Sequence, residues 1–298
     1  MDETIKRAIE FGNLRYKSVC LILAKIGYSN HTLHKLEVRN KVYRYIKKKY
    51  GYIAENYIKS DNSKENNEDV WICWLQGVDN APEVVKKCVD TVNYWLSDKR
   101  IHILDESNIF DYIDLPDYII DKWKSGYISN TLFSDFIRLS ILKKYGGMWI
   151  DATVYLTGKL PNYIENYDFF MYRTPLEDEG KIGESWLIKA PAEDDLISLT
   201  LEILCEYWRK EKKIRDYFIM FICMKIASER IGDIKDRTIE IPNRIPLMLE
   251  RYLNDKYDEN IWKEICKLTS VHKLNYKRLD NIEDTFLQMV LSMKVGEC

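Results

Sequence analysis

Two rhythms of apolar residues run along this chain. From Ile5 to Tyr57 they recur at helical spacing among basic residues, ending in Val42, Tyr45 and Ile46 amid the lysines of RYIKKKYGY, with no strand-like alternation between. The run SDNSKENNED (60–69) has no apolar residue to bury and reads as a linker or exposed loop. A boundary there divides an N-terminal basic helical appendage with its linker (1–68) from a main domain (69–298). Beyond it the rhythm shortens. VWICWLQG (70–77) is a compact apolar and β-branched run ended by Gly77, as in a buried strand that opens into a loop. APEVVKKCVDTVNYWL (81–96) follows as a helix, with Pro82 in its first turn and Val85, Val89, Val92 and Trp95 on one stripe. RIHILD (100–105) is a second strand. The order β, α, β predicts an α/β domain on a parallel sheet with crossover helices.

Ligands of open α/β sheets lie beyond the carboxyl ends of the strands, so the loops after Leu75 and Leu104 are the expected nucleotide cradle. Trp74, Gln76, Asp105 and Asn108 are the residues at hand there; Trp74 could equally be core packing and Gln76 a turn residue.

The densest stretch is NTLFSDFIRLSILKKYGGMWIDATVYLTG (130–158): a helix, a Gly-Gly stop, a short strand and an acidic turn. Asn130 or Thr131 can cap the helix and Gly146 can end it in the left-handed conformation, so that Met148-Trp149-Ile150 delivers Asp151 to the mouth of the sheet. At about 100° per residue Asp135 and Arg138 share one helix face while Phe136, Ile137, Leu139 and Ile141 turn to others. On an exposed helix such a pair is worth only about 0.3–0.5 kcal/mol. This helix is mostly apolar and therefore buried, and buried charges need partners.

Composition changes the picture in two places. With 46% hydrophobic and 31% charged residues the chain is a globular protein and not a disordered or fibrous one. Its net charge of −2 hides a gradient: residues 1–59 carry 13 Lys/Arg against 5 Asp/Glu, so that segment could rest on anionic lipid headgroups or be an ordinary solvated surface. A nucleic-acid role is not expected, because the segment lacks a reading motif and the remainder is acidic. Seven cysteines without a CxxC pair suit a reducing, cytoplasmic setting. The apolar stretch Val19 to Ile26 is short, starts late and contains Lys25, unlike a signal peptide, and nothing approaches the ~20 apolar residues of a membrane span. A soluble or peripheral protein at the inner membrane face is the expectation.

SDFIRLSILKKYGGMWIDATVYL, with WICWLQG and Ala81-Pro82 upstream, resembles the core motif of the capsular polysaccharide synthesis proteins, among GT32-type glycosyltransferases of the GT-A (Rossmann-like, nucleotide-sugar-binding) fold. The resemblance covers residues 70–295, with its specific motifs in 70–82 and 129–160; the first sixty residues match nothing in it. It implies a donor-sugar grip by Asp135 and Arg138, with Ser134 beside them, and an Asp-x-Asp motif starting at Asp151. Here that motif is Asp-Ala-Thr, so Thr153 offers a hydroxyl without charge, and direct metal ligation there is weaker or requires other ligands. The resemblance further implies a divalent cation, Mn2+ or Mg2+, on Asp151 and Thr153, with His272 as a further ligand or else a structural histidine. Ser185 and Trp186, beside Glu184, would line the donor sugar, and Asp216, with Tyr217 and Phe218, would contact donor or acceptor. His31 and His34, one turn apart, lack a third ligand and read as surface residues. The implied activity is retaining transfer of a sugar from a nucleotide sugar, a UDP-sugar foremost, to a glycan or lipid-linked glycan. A protein-modifying transferase and a non-catalytic scaffold of glycan assembly are the alternatives.

Overall fold

A computed structural model describes residues 31–60, 67–174, 180–232, 234–277, 279 and 283–297. The elements that frame the site run α1 (His31–Asn56), β1 (Asp69–Cys73), α2 (Glu83–Trp95), β2 (Arg100–Leu104), α3 (Asp117–Lys124), α4 (Asn130–Tyr145), β3 (Gly147–Ile150), β4 (Val154–Leu156), β5 (Phe170–Met171), β6 (Leu187–Ala190), α5 (Asp195–Lys210), α6 (Ile219–Ile231), α7 (Glu259–Leu268), β7 (Val271–Lys273) and α8 (Phe286–Ser292). The side chains of His31 and His34 lie outside the described residues.

Five strands form a sheet in the order β2-β1-β3-β6-β5. As the β, α, β pattern requires, β1 runs parallel to β2 and also to β3, pairing Trp71 with Trp149. The sheet is mixed, since β6 is antiparallel to both β3 and β5. This arrangement brings the carboxyl ends of β1, β2 and β3 to one edge together with the start of β6. There the Asp151 amide donates to the Trp186 carbonyl at 2.8 Å. A separate ribbon pairs β4 with β7 antiparallel.

Strand alternation divides the core. Val70, Ile72, Met148, Ile150 and Leu187 face a layer made by α2, α7, α8 and the β4–β7 ribbon. Trp71, Trp149 and Ile188 face α1, α3, α4, α5 and α6. Helix α1 therefore belongs to the same core as the main domain. Its stripe Val42, Ile46, Tyr50 and Ala54 is buried at four-residue spacing, and Tyr45, Tyr50 and Lys49 all donate to Oε1 of Glu211 at 2.9, 2.9 and 2.7 Å. The expected appendage has no core of its own among its described residues: an apolar helix stripe is buried by whatever it packs against, and here that is α5 and α6. Part of its basic charge is spent internally, Lys47 pairing with Glu229 at 2.8 Å and Lys49 with Glu211.

The Gly-Gly stop is dictated by space as well as by torsion. Gly146 and Gly147 have φ of 69° and 90°, and a Cβ on either would collide with the backbone of Ala192 or Asp69. Helix α4 can thus turn straight into β3. Its N-cap is Ser129, whose hydroxyl accepts from the Leu132 amide, one residue before the expected Asn130 and two before Thr131.

Candidate active site

Helix α4 and strand β3 deliver three charges to one point. Arg138, only 5% exposed, forms an ion pair through Nη1 with Asp135 Oδ1 at 3.0 Å and donates from Nη2 to Asp151 Oδ1 at 3.2 Å. Ser134 Oγ accepts from Nη2 as well, at 3.2 Å. Residues three apart on a helix supply the first pair, and the Gly-Gly turn supplies the second by folding β3 back along α4. Asp151 also accepts from the Trp149 indole at 2.9 Å, because residues two apart on a strand share a face. The Arg138 guanidinium lies 5.3 Å from the centre of that indole. Ser134, Asp135, Arg138 and Asp151 are thus brought together as the motif implies, with Trp149 added to them.

Burial pushes the Asp135 carboxyl up to about 6; Arg138 opposes the shift and Asp151 adds to it. Because the native-state value lies above the usual carboxylate value near 3.9, the folded protein holds the proton more tightly between about pH 4 and 6. Ionising Asp135 therefore costs stability as pH rises through that window. The stability of wild type relative to Asp135→Asn is expected to fall from pH 4 to 6 and then level, as read by urea unfolding at each pH. A flat difference would show that Asp135 ionises as freely in the folded as in the unfolded chain.

The third side of the site comes from far along the chain. Backbone bonds join Leu274 N–H to the Thr153 carbonyl at 2.8 Å and Lys273 N–H to the Pro246 carbonyl at 2.8 Å, fixing β7 beside the Asp-Ala-Thr turn. Lys273 Nζ donates to Thr153 Oγ1 and stands 3.9 Å from Asp151 Oδ2. His272 points the other way. It is 0% exposed, its Nε2 sits 3.0 Å from Thr157 Oγ1, and burial holds its imidazole down at about 3, so it is a neutral core residue. The expected metal role of His272 is corrected by the β4–β7 register: His272 opposes Tyr155, and alternation sends Lys273, not His272, to Thr153.

A cavity of about 230 Å³ adjoins this corner, lined among others by Thr153, Lys273, Trp186, Glu184 and Tyr276. Trp186 is buried and stacked on Tyr172 at 4.6 Å, and its indole N–H has no hydrogen-bond partner among the described residues. Glu184 is held by Lys181 at 2.7 Å and Asn243 at 2.6 Å, while Ser185 is half-buried in the turn between Glu184 and Trp186. Trp74 is half-buried and meets Tyr276 edge-on at 5.1 Å, so the loop after β1 reaches a cavity-lining residue. The thiol of Cys73, pushed up to about 12 by burial, feels the charges of Arg138, Asp151 and Asp105.

Three expected residues lie outside this cluster. Gln76 is exposed, and its carbonyl accepts from Asn80 at 2.9 Å. Asn108 braces its own loop, accepting from the Asp105 amide at 2.9 Å and donating to the Ile103 carbonyl at 3.1 Å. Asp216 accepts from the Phe218 amide at 2.8 Å and faces Arg39 of α1 at 4.0 Å. Its neighbour Tyr217 is the nearer to the site: its phenol, raised chiefly by burial, senses Asp135, Arg138 and Asp151.

The donor set does not fit a divalent cation held by the protein. Hard cations of this kind take several oxygen ligands, and among the described residues no three His, Cys, Asp or Glu side chains converge on a point. Asp151 Oδ1 already serves Arg138 and Trp149, and the Thr153 hydroxyl serves Lys273.

An α/β sheet presenting a buried Asp–Arg–Asp network, a lysine and an adjoining cavity at the carboxyl ends of its parallel strands defines a small-ligand site of the open-sheet class. Residues 25–290 match the family described as capsular polysaccharide synthesis protein, and the chain belongs to that family. It is also 27% identical over 109 residues to the O-glycosyltransferase braB of Annulohypoxylon truncatum, a stretch that makes up 34% of this chain and 26% of that relative. Among solved structures it resembles the PaToxG glycosyltransferase at 12% identity and a TM-score of 0.35, over 78% of this chain and 84% of the other.

Proposed function

We propose that this chain is a glycosyltransferase that moves a sugar from a nucleotide-sugar donor, a UDP-sugar foremost, to a glycan or lipid-linked glycan acceptor in capsular or extracellular polysaccharide synthesis. The observation that carries it is the Asp135–Arg138–Asp151 network at the strand ends, in a chain of the capsular family. Asp135 offers carboxylate oxygens to sugar hydroxyls, Arg138 holds both acids in place, and Asp151 meets the ribose or the hydroxyls near the diphosphate. Transfer on the face from which the nucleotide leaves, with retention of configuration, requires no nucleophile from the enzyme, and this reading assigns none. Catalysis is then positioning and electrostatics.

Among the described residues no helix is long and apolar enough to cross a membrane. The exposed basic residues of α1, such as Arg44 and Lys48, suit a peripheral location at the cytoplasmic membrane face, close to lipid-linked acceptors.

The test is release of free nucleoside diphosphate from UDP-, GDP- and TDP-sugars, with product configuration read by NMR. One donor is expected to be consumed, slowly to water and faster with acceptor, with retention. Inverted product would end the retaining reading, and no consumption of any donor would leave the chain a scaffold.

A further inference from the structure

We infer that the ammonium of Lys273, and not a divalent cation, supplies the positive charge that meets the departing diphosphate, so that the site works without metal. The inference rests on the glycosyltransferase reading above and deepens it.

Thr153 stands where a second metal-binding carboxylate would be, and its hydroxyl accepts a hydrogen bond from Lys273 Nζ. Asp151 is the carboxylate left in the Asp-Ala-Thr turn, and its Oδ1 is already shared by Arg138 and Trp149. Its Oδ2 looks toward Lys273 at 3.9 Å. A divalent ion entering at the Asp-Ala-Thr turn would sit between Arg138 and Lys273, and Asp151, the carboxylate of that turn, is already shared by Arg138 and Trp149. Coulomb repulsion opposes that placement, and among the described residues no three His, Cys, Asp or Glu side chains converge to relieve it.

The two cations are not equivalent. Arg138 is closed between Asp135 and Asp151 at 3.0 and 3.2 Å. Among the described residues the carboxylate nearest Lys273 is Asp151 at 3.9 Å, and Lys273 lines the cavity beside Thr153. An ammonium has three donors. Among the described residues Thr153 and, at 3.3 Å, the Leu274 carbonyl take two of them, and the third is the one offered to a ligand oxygen. Trp186 lines the same cavity, and its buried indole N–H has no partner among the described residues. A diphosphate is the ligand chemistry that such a pair of donors, one of them charged, recognises.

In the transfer, the bond from the anomeric carbon to the diphosphate oxygen breaks and its electron pair stays on that oxygen. The acceptor oxygen forms the new bond to the anomeric carbon, and the acceptor's proton passes to the departing diphosphate. Lys273 keeps its own protons and stabilises the growing negative charge. Strand alternation explains why the lysine is available: with His272 buried in the ribbon, the next residue must face the turn.

The experiment is calorimetric binding of UDP, GDP and TDP to the full chain, in EDTA and in Mn2+, for wild type, Lys273→Met and Lys273→Arg. One diphosphate is expected to bind wild type in EDTA, with a dissociation constant that Mn2+ changes less than about twofold. Lys273→Met is expected to weaken it about 10- to 100-fold, unrescued by Mn2+, as for loss of a charge-assisted hydrogen bond. Lys273→Arg should recover most of the loss. If wild type binds only with Mn2+, or if Lys273→Met binds like wild type, the inference falls while the glycosyltransferase reading stands. If no diphosphate binds in either buffer, both fall. The wild-type comparison contains no substitution, so it decides even if Lys273→Met fails to fold.

Discussion

Arg138→Met is expected to cost the protein about 3–5 kcal/mol of stability, the loss typical when one partner of a buried ion network is removed and the other charges stay behind. The reason is geometric. Arg138 is 5% exposed and is the shared partner of Asp135 and Asp151. Without it, two mostly buried acids face each other, and the Asp135 carboxyl, already lifted to about 6, loses the group that opposes the shift. Since 1 kcal/mol corresponds to roughly 2–4 °C in a domain of this size, the melting temperature should drop by roughly 10 °C. Nucleoside diphosphate release should vanish with it. Arg138→Lys keeps the charge without the planar fork and is expected to fall between the two. A melting temperature within about 2 °C of wild type for Arg138→Met would show that the acids do not depend on the arginine, because charges already screened by solvent lose little with their partner.

Asp151→Asn separates chemistry from folding. The amide keeps the size of the side chain, and its oxygen can still accept from Trp149 and Arg138, so the melting temperature should move little. What disappears is the negative charge that Lys273 faces at 3.9 Å and that Arg138 bridges to Asp135. Arg138 and Lys273 then lack the anchor that sets their spacing. A displacement of about 1 Å in a positioning group costs on the order of 100-fold in rate, and a loss of that size or larger is expected in nucleoside diphosphate release. Donor consumption by Asp151→Asn within about tenfold of wild type would place the reacting diphosphate elsewhere, with the cavity beside Thr153 serving the acceptor instead.

The central motif was legible from local rules. The D-x-x-R spacing, the apolar faces of α4, the Gly-Gly stop and the delivery of Asp151 at the end of β3 all follow from helix periodicity, strand alternation and glycine torsion over about twenty residues. The β, α, β order likewise places the β1 and β2 loops at the site edge. Trp149 could have been read by the same alternation, since it lies two residues before Asp151 on one strand. Capping was less legible. Ser129, Asn130 and Thr131 are all competent caps, and only the position of the first turn selects among them.

Distant pairings were beyond reach of the sequence. Whether His272 or Lys273 faces the Asp-Ala-Thr turn is decided by the register of β7 against β4, about 120 residues away, and a shift of one residue would exchange them. Helix α1 reads as detached because the polar run after it has nothing to bury, yet its own stripe finds α5 and α6, and Glu211 gathers three donors from it. Asp216 has an aspartate's usual appeal as a contact residue, but the docking of α1 sets Arg39 before it. What the sequence by itself determined is therefore which groups each short element carries and on which face, because torsions and side-chain period act over one or two turns. The tertiary structure decided which of those faces meet, because strand register and helix docking depend on the burial of the whole core.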